Sequence, residues 1–292
     1  MTNKLYVFGS SHTDPKEKTE LKPLLRRVGE TGGVILAEFE NDAYTTSALK
    51  RFKELDEKEI LTVIEHEFGG RSIAPYNFLK MAQQHEGISE ILSTEPRFEG
   101  KIKILSKAIK PVYKEFESSF ERAKSHSNKT GTLNKLINIY AALEAVSARQ
   151  YMFREEHMSR FVADRVKRNT GDTLLYTHYI HAASIKEYLR KKHIRYEERE
   201  GSYIHELERR EWRMLHTALD NAGSGFTHSQ KLMFARGILE YKILFSDNVN
   251  MSLKQEYHVY KAVGKSIKTI KDFVEALSNF DEFKKSVKAA SS

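Results

Sequence analysis

The chain has 292 residues, enough to bury the core of one large domain or two smaller ones without covalent staples. It contains no cysteine, which excludes a disulfide framework, a thiolate nucleophile and a cysteine-ligated zinc, so any metal must be held by His, Asp and Glu. The net charge of +8 would suit an anionic partner such as nucleic acid, yet Lys and Arg alternate with Asp and Glu. Only short runs such as Arg190, Lys191, Lys192 cluster, which reads as solvated helix faces.

Lys4 to Phe8 is a β-branched and aromatic run that stops at Gly9-Ser10-Ser11, as a buried strand does at a loop, and His12 follows at its carboxyl end. This opening reads as a first strand rather than a secretory signal. Residues 17–30 carry leucines at 21, 24 and 25 among charges, a helical spacing broken by Gly32-Gly33. Val34 to Ala37 is a second apolar run, ending at Glu38. The order strand, helix, strand predicts a parallel pair and an α/β sheet.

Residues 45–68 and 76–92 read as amphipathic helices separated by Gly69-Gly70 and Pro75. Ile102 to Ile109 fits strand or helix, and a helical pattern follows Pro111 to about Ser125. The polar stretch from Ser125 to Thr132 predicts an exposed loop, and Leu133 to Arg168 a long helix. Gly171-Asp172 precedes a third strand, Thr173 to Thr177, which ends at His178 and is followed by a helix from Ala182 to Lys192. From Glu206 onward the signals are all helical, notably Phe226 to Asn248 and Leu253 to Phe280, before a small-residue tail expected to fray. The expected architecture is therefore α/β: a mainly parallel sheet flanked by helices over residues 1–200, with an all-helical extension over 201–292 that caps the core or forms a homodimer interface. No stretch approaches the ~18 uninterrupted apolar residues of a membrane span, so a soluble, cytoplasmic protein is expected.

In parallel α/β sheets, ligands bind beyond the carboxyl ends of the strands. Three strands here end in His12, Glu38 and His178, and His181 lies three residues after His178. Imidazole and carboxylate donors in such a group suit zinc or manganese. Glu38 follows four apolar residues directly, and a carboxylate buried there needs a partner or a task. Glu40 is its neighbour on the same side of an extended chain. On the long helix, Arg154 and Met158 share a face four residues apart, with Met158 expected in the core beside Phe161 and Val162. Arg154 reads either as a surface ion-pair partner or as an anion or oxyanion clamp.

Gly9-Ser10-Ser11-His12, the strand ending in Glu38, Arg154-x-x-x-Met158 and strand-borne His178-x-x-His181 resemble, in order, the motifs of the superfamily that contains the TraB and TIKI proteins, the ChaN-like proteins and the erythromycin esterases. His178-Tyr179-Ile180-His181 is similar to the H-N-x-H of the esterase branch, with Tyr in place of Asn. The resemblance covers roughly residues 4–200 and implies a hydrolase of peptide or ester bonds. It also implies His12, Glu38, Arg154, His178 and His181 as the site, with the histidines and Glu38 either coordinating a divalent ion or positioning a water directly. The ChaN-like branch implies an alternative, a haem- or metal-binding protein without catalysis. A basic nucleic-acid-interacting protein working through the C-terminal helices is a further alternative.

Overall fold

A computed structural model of the chain describes residues 3–10, 17–39, 41–68, 73–95, 101–126, 130–198, 204–221, 225–245 and 253–291. The chain divides into two compact units: Met1–Glu99 with Tyr151–Glu208, and Gly100–Gln150 with Arg209–Ser292. This division falls elsewhere than the expected boundary at residue 200. The apolar faces of residues 116–145 find their complement in the C-terminal helices, and a linear reading of hydrophobic spacing does not say which partner a face will meet.

The first unit is a five-stranded parallel sheet with helices. Its strands are β1 (Leu5–Ser10), β2 (Val34–Ala37), β3 (Glu90–Ser93), β4 (Thr173–His178) and β5 (Glu197–Glu198), in the order β3-β2-β4-β1-β5. The helices are α1 (Glu17–Glu30), α2 (Ala43–Lys50), α3 (Glu57–Phe68), α4 (Ile73–Gln83), the second half of α6 (Thr130–Arg168) and α7 (Tyr179–Lys191). Side chains alternate across the sheet, and both faces are dry. Tyr6, Phe8, Ile35, Leu174 and Tyr176 pack with Leu21, Leu25, Phe78 and Leu79 of α1 and α4. Leu5, Val7, Leu36 and Leu175 pack on the other face with Met158 and Val162 of α6 and Ile185 and Leu189 of α7. Met158 is fully buried there with Phe161 against the same cluster, as the helical spacing predicts.

Several local expectations change. Residues 45–68 form two helices, because the 3₁₀ turn Phe52–Glu54 ends the first segment and Asp56 starts α3 afresh. Asp56 accepts from the Glu59 amide at 2.8 Å while Glu59 returns a bond to the Asp56 amide at 2.9 Å, a reciprocal cap. The segment 76–92 is helical only to Gln83 and then becomes β3. Gly87 sits so close to Gly29 that a Cβ would lie 1.9 Å from the Gly29 carbonyl oxygen, so a side chain here would block the turn into the strand. Residues 102–109 belong to a helix, α5 (Lys101–Ser125), which runs through Pro111. The two-residue β5 adds to the sheet edge. His12 and Glu40 lie outside the described residues.

The second unit is helical: α5, the first half of α6, most of α8 (Ile204–Asp220), α9 (His228–Phe245), α10 (Leu253–Ser266), α11 (Ile270–Ser278) and α12 (Phe280–Ser291). The C-terminal stretch thus forms three helices where the sequence suggests one, and the tail expected to fray is α12. Thr269 breaks the pattern with a capping box to Asp272 at the start of α11. Phe116, Phe120, Leu136, Tyr140, Phe234, Ile238, Leu239 and Phe273 share the core. Half-buried Arg210 forms an ion pair with buried Glu240 and lies 5.4 Å from the Tyr260 ring centroid. Half-buried Glu144 is hydrogen-bonded to Tyr140 and faces Glu211; burial and the Glu211 charge push its carboxyl up to about 7. Among the described residues, no helix is long and apolar enough to cross a membrane.

Candidate functional site

The register of the sheet assembles the site. Ala37 pairs with Tyr176 on one side of β4, and Ser10 pairs with His178 on the other. Glu38, one step past β2, continues the ladder by donating its amide to the Tyr176 carbonyl at 3.0 Å, which places its side chain beside the end of β4. The Thr177 hydroxyl donates to Glu38 Oε2 at 2.8 Å, and the His178 amide donates to the same oxygen. On the other flank, β3 pairs in register with β2 and delivers Glu95 two residues beyond its last strand residue.

From α6, Arg154 reaches both carboxylates. Its Nη2 donates to Glu38 Oε1 at 3.0 Å, its Nε donates to Glu95 Oε2 at 2.9 Å, and Nη2 also bonds Glu95 Oε1. Burial by itself would pull the guanidinium down, but the charges of Glu95 and Glu38 outweigh it and hold Arg154 above its ordinary range. The Glu95 carboxyl is pushed up by burial, against the pull of Arg154. The Nε and Nη2 donors of Arg154 are thus engaged by these two carboxylates.

The junction of β4 and α7 contributes both histidines. His178 is the N-cap, its Nδ1 accepting from the Ile180 amide at 3.4 Å, so its ring is turned toward the helix start. His181, in the first turn, is buried, with ring centroids 6.4 Å from His178. Its Nε2 lies 3.5 Å from Glu38 Oε1 and its Nδ1 lies 3.2 Å from Glu155 Oε1. Burial works to lower the imidazole, and the Glu38 charge and the Glu155 bond overcome it, so His181 titrates above its ordinary value. Tyr151 places its ring edge-on to His181 with centroids 5.3 Å apart.

Of the five residues expected from sequence, Glu38, Arg154 and His181 therefore meet in one cluster. His178 borders it through its backbone, and His12 is outside the described residues. Glu95 and Glu155 belong to the cluster and were not anticipated. Ligand atoms of Glu38, Glu95 and His181 all lie within 4.8 Å of one another, close enough for one metal ion to bridge them. A second group with this property, Asp42, His66 and Glu67, is more exposed and serves local structure. Asp42 caps α2 through Thr45 and meets His66 Nε2 at 2.6 Å, and Glu67 accepts from Thr45 Oγ1.

Charge decides what the buried cluster asks for. Glu38, Glu95 and Glu155 are buried; Glu38 and Glu95 share the Arg154 guanidinium, and Glu155 meets His181. A buried carboxylate in that position takes up a proton or a cation. Comparisons with protein-family models, curated proteins and solved structures find no match to this chain.

Proposed function

We propose that the first unit is a metal-dependent hydrolase that cleaves a peptide or ester bond at the carboxyl edge of its sheet. The observation that carries the reading is the buried grouping of Glu38, Glu95 and His181, whose ligand atoms all lie within 4.8 Å of one another. Two carboxylates and an imidazole fit zinc or manganese, and these three residues would hold the ion. An ion held there would supply Lewis-acid chemistry, lowering the pKa of a water toward neutrality and polarising a scissile carbonyl.

The chain's own residues have separate tasks. Arg154 holds Glu38 and Glu95 in place and offsets part of their charge. Thr177 and the His178 amide fix the second oxygen of Glu38, so that Oε1 is the one turned to Arg154 and His181. The motif order Gly9-x-x-His12, Glu38, Arg154-x-x-x-Met158 and His178-x-x-His181 supports the same reading through its resemblance to the TraB, TIKI and erythromycin-esterase superfamily. The proposal is of a cytoplasmic enzyme acting on a peptide or small ester.

The test is hydrolysis of a mixed peptide library and a panel of p-nitrophenyl esters, with zinc or manganese supplied. Turnover that disappears on chelation and in Glu38→Gln is the expected result. Turnover that survives both would contradict the assignment.

A further inference from the structure

We propose that Glu155 is a positioning residue that sets the tautomer of His181, so that Nε2 is the nitrogen presented to Glu38 and Glu95; the inference rests on the metal-site reading above. A neutral imidazole carries one N–H, and here both ring nitrogens face carboxylates. Nδ1 lies 3.2 Å from Glu155 Oε1, within hydrogen-bond distance. Nε2 lies 3.5 Å from Glu38 Oε1. With the proton on Nδ1, donated to Glu155, the Nε2 lone pair points at a carboxylate oxygen. Two acceptors facing each other repel, and a cation between them turns that repulsion into coordination. With the proton on Nε2, the cluster would lose its imidazole ligand and Glu155 would be left buried without a donor from the ring.

The surroundings are arranged to hold this choice. Tyr151, Glu155 and Met158 share one face of α6, at i, i+4 and i+7. Met158 is fully buried in the core beneath the sheet, which fixes the helix against rotation. Tyr151 meets the imidazole edge-on and limits its tilt. Both partners are shielded, Glu155 at 5 % and His181 at 2 % exposure, so water does not compete for either ring nitrogen. A carboxylate on the far nitrogen of a ligating histidine both orients the ring and strengthens its basicity, and removing such a partner costs 10–100-fold in metal affinity.

The experiment uses the full chain with zinc alone as the probe. Affinity is measured by competition with a chromogenic chelator, and the His181 ring nitrogens are read by long-range ¹H–¹⁵N correlation, with the His181→Ala spectrum identifying the signals. At a pH above the His181 titration, where the ring is neutral, wild type is expected to show the Nδ1–H form both without and with zinc. Glu155→Ala is expected to lose about 10–100-fold in zinc affinity and to show the Nε2–H form without metal, while far-UV circular dichroism stays unchanged. Glu155→Gln retains an acceptor oxygen at the same place and should fall between the two, so it keeps the test decisive if the alanine variant fails to fold. Wild-type affinity in both variants with an unchanged tautomer would overturn the role of Glu155 and leave the metal reading standing. A wild type that binds no zinc yet shows Nδ1–H would remove the metal reading and leave the tautomer assignment intact.

Discussion

Replacing Glu144 with Gln should stabilise the helical unit at alkaline pH and change it far less at acid pH. Glu144 is held at about 7 by burial and by the neighbouring Glu211, against 4.5 for an ordinary glutamate. A carboxyl raised in the folded state favours folding while it is protonated; that contribution is complete below the unfolded value and is lost as pH rises through the folded one. A difference of about 2.5 units at 1.36 kcal/mol per unit is worth about 3 kcal/mol in total, of which about 2 kcal/mol develops between pH 5.5 and 9. Glutamine cannot ionise, so it escapes the penalty, and any fixed effect of the amide on Tyr140 cancels between the two pH values. The single tryptophan, Trp212, lies in this unit and provides the assay. Urea unfolding followed by its fluorescence should show the gap between Glu144→Gln and wild type widening by about 2 kcal/mol from pH 5.5 to 9. A gap that stays constant or narrows with rising pH would refute the reasoning.

Arg154→Met should destabilise the sheet unit by about 3–5 kcal/mol, because it strands two buried carboxylates, and saturating zinc should recover part of the loss; thermal melting with and without zinc reads both effects. Gly33→Ala should prevent or severely weaken folding of the same unit, since the new Cβ would lie 2.1 Å from the Asp172 carbonyl oxygen, backbone that cannot move aside. By contrast, Gly264 lies in α10 with open space around the position of a Cβ, so Gly264→Ala should raise stability by about 0.5–1 kcal/mol in the Trp212 unfolding assay.

The strands that set the sheet's centre were legible because they are short, uninterrupted apolar runs, and both faces of β1, β2 and β4 are indeed buried. Glu38 announced itself as a charge directly after such a run. Glu95 did not, because β3 is four residues long and its Ile91 and Leu92 extend the apolar spacing of the helix before it. The available signal was Gly87, a turn residue shortly ahead of the four-residue run Glu90–Ser93, which Thr94 and Glu95 follow. Glu155 was hidden in a charged stretch of α6, although its three-residue spacing from Met158 already placed both on the face turned to the core. The allotment of α5 and the first half of α6 to the helical unit was not readable at all. Their apolar stripes at Phe116, Phe120, Leu136 and Tyr140 would suit a sheet face as well as the α9 and α11 side chains they meet.

The proposed metal site is the buried cluster of Glu38, Glu95 and His181. Elemental analysis of the purified protein after exposure to zinc, manganese and iron, beside His181→Ala and Glu95→Gln, tests it most directly. Close to one metal ion per chain is expected in wild type, with that ion lost in both variants and the fold retained. A folded wild type that remains metal-free, or variants that keep the ion, would contradict it.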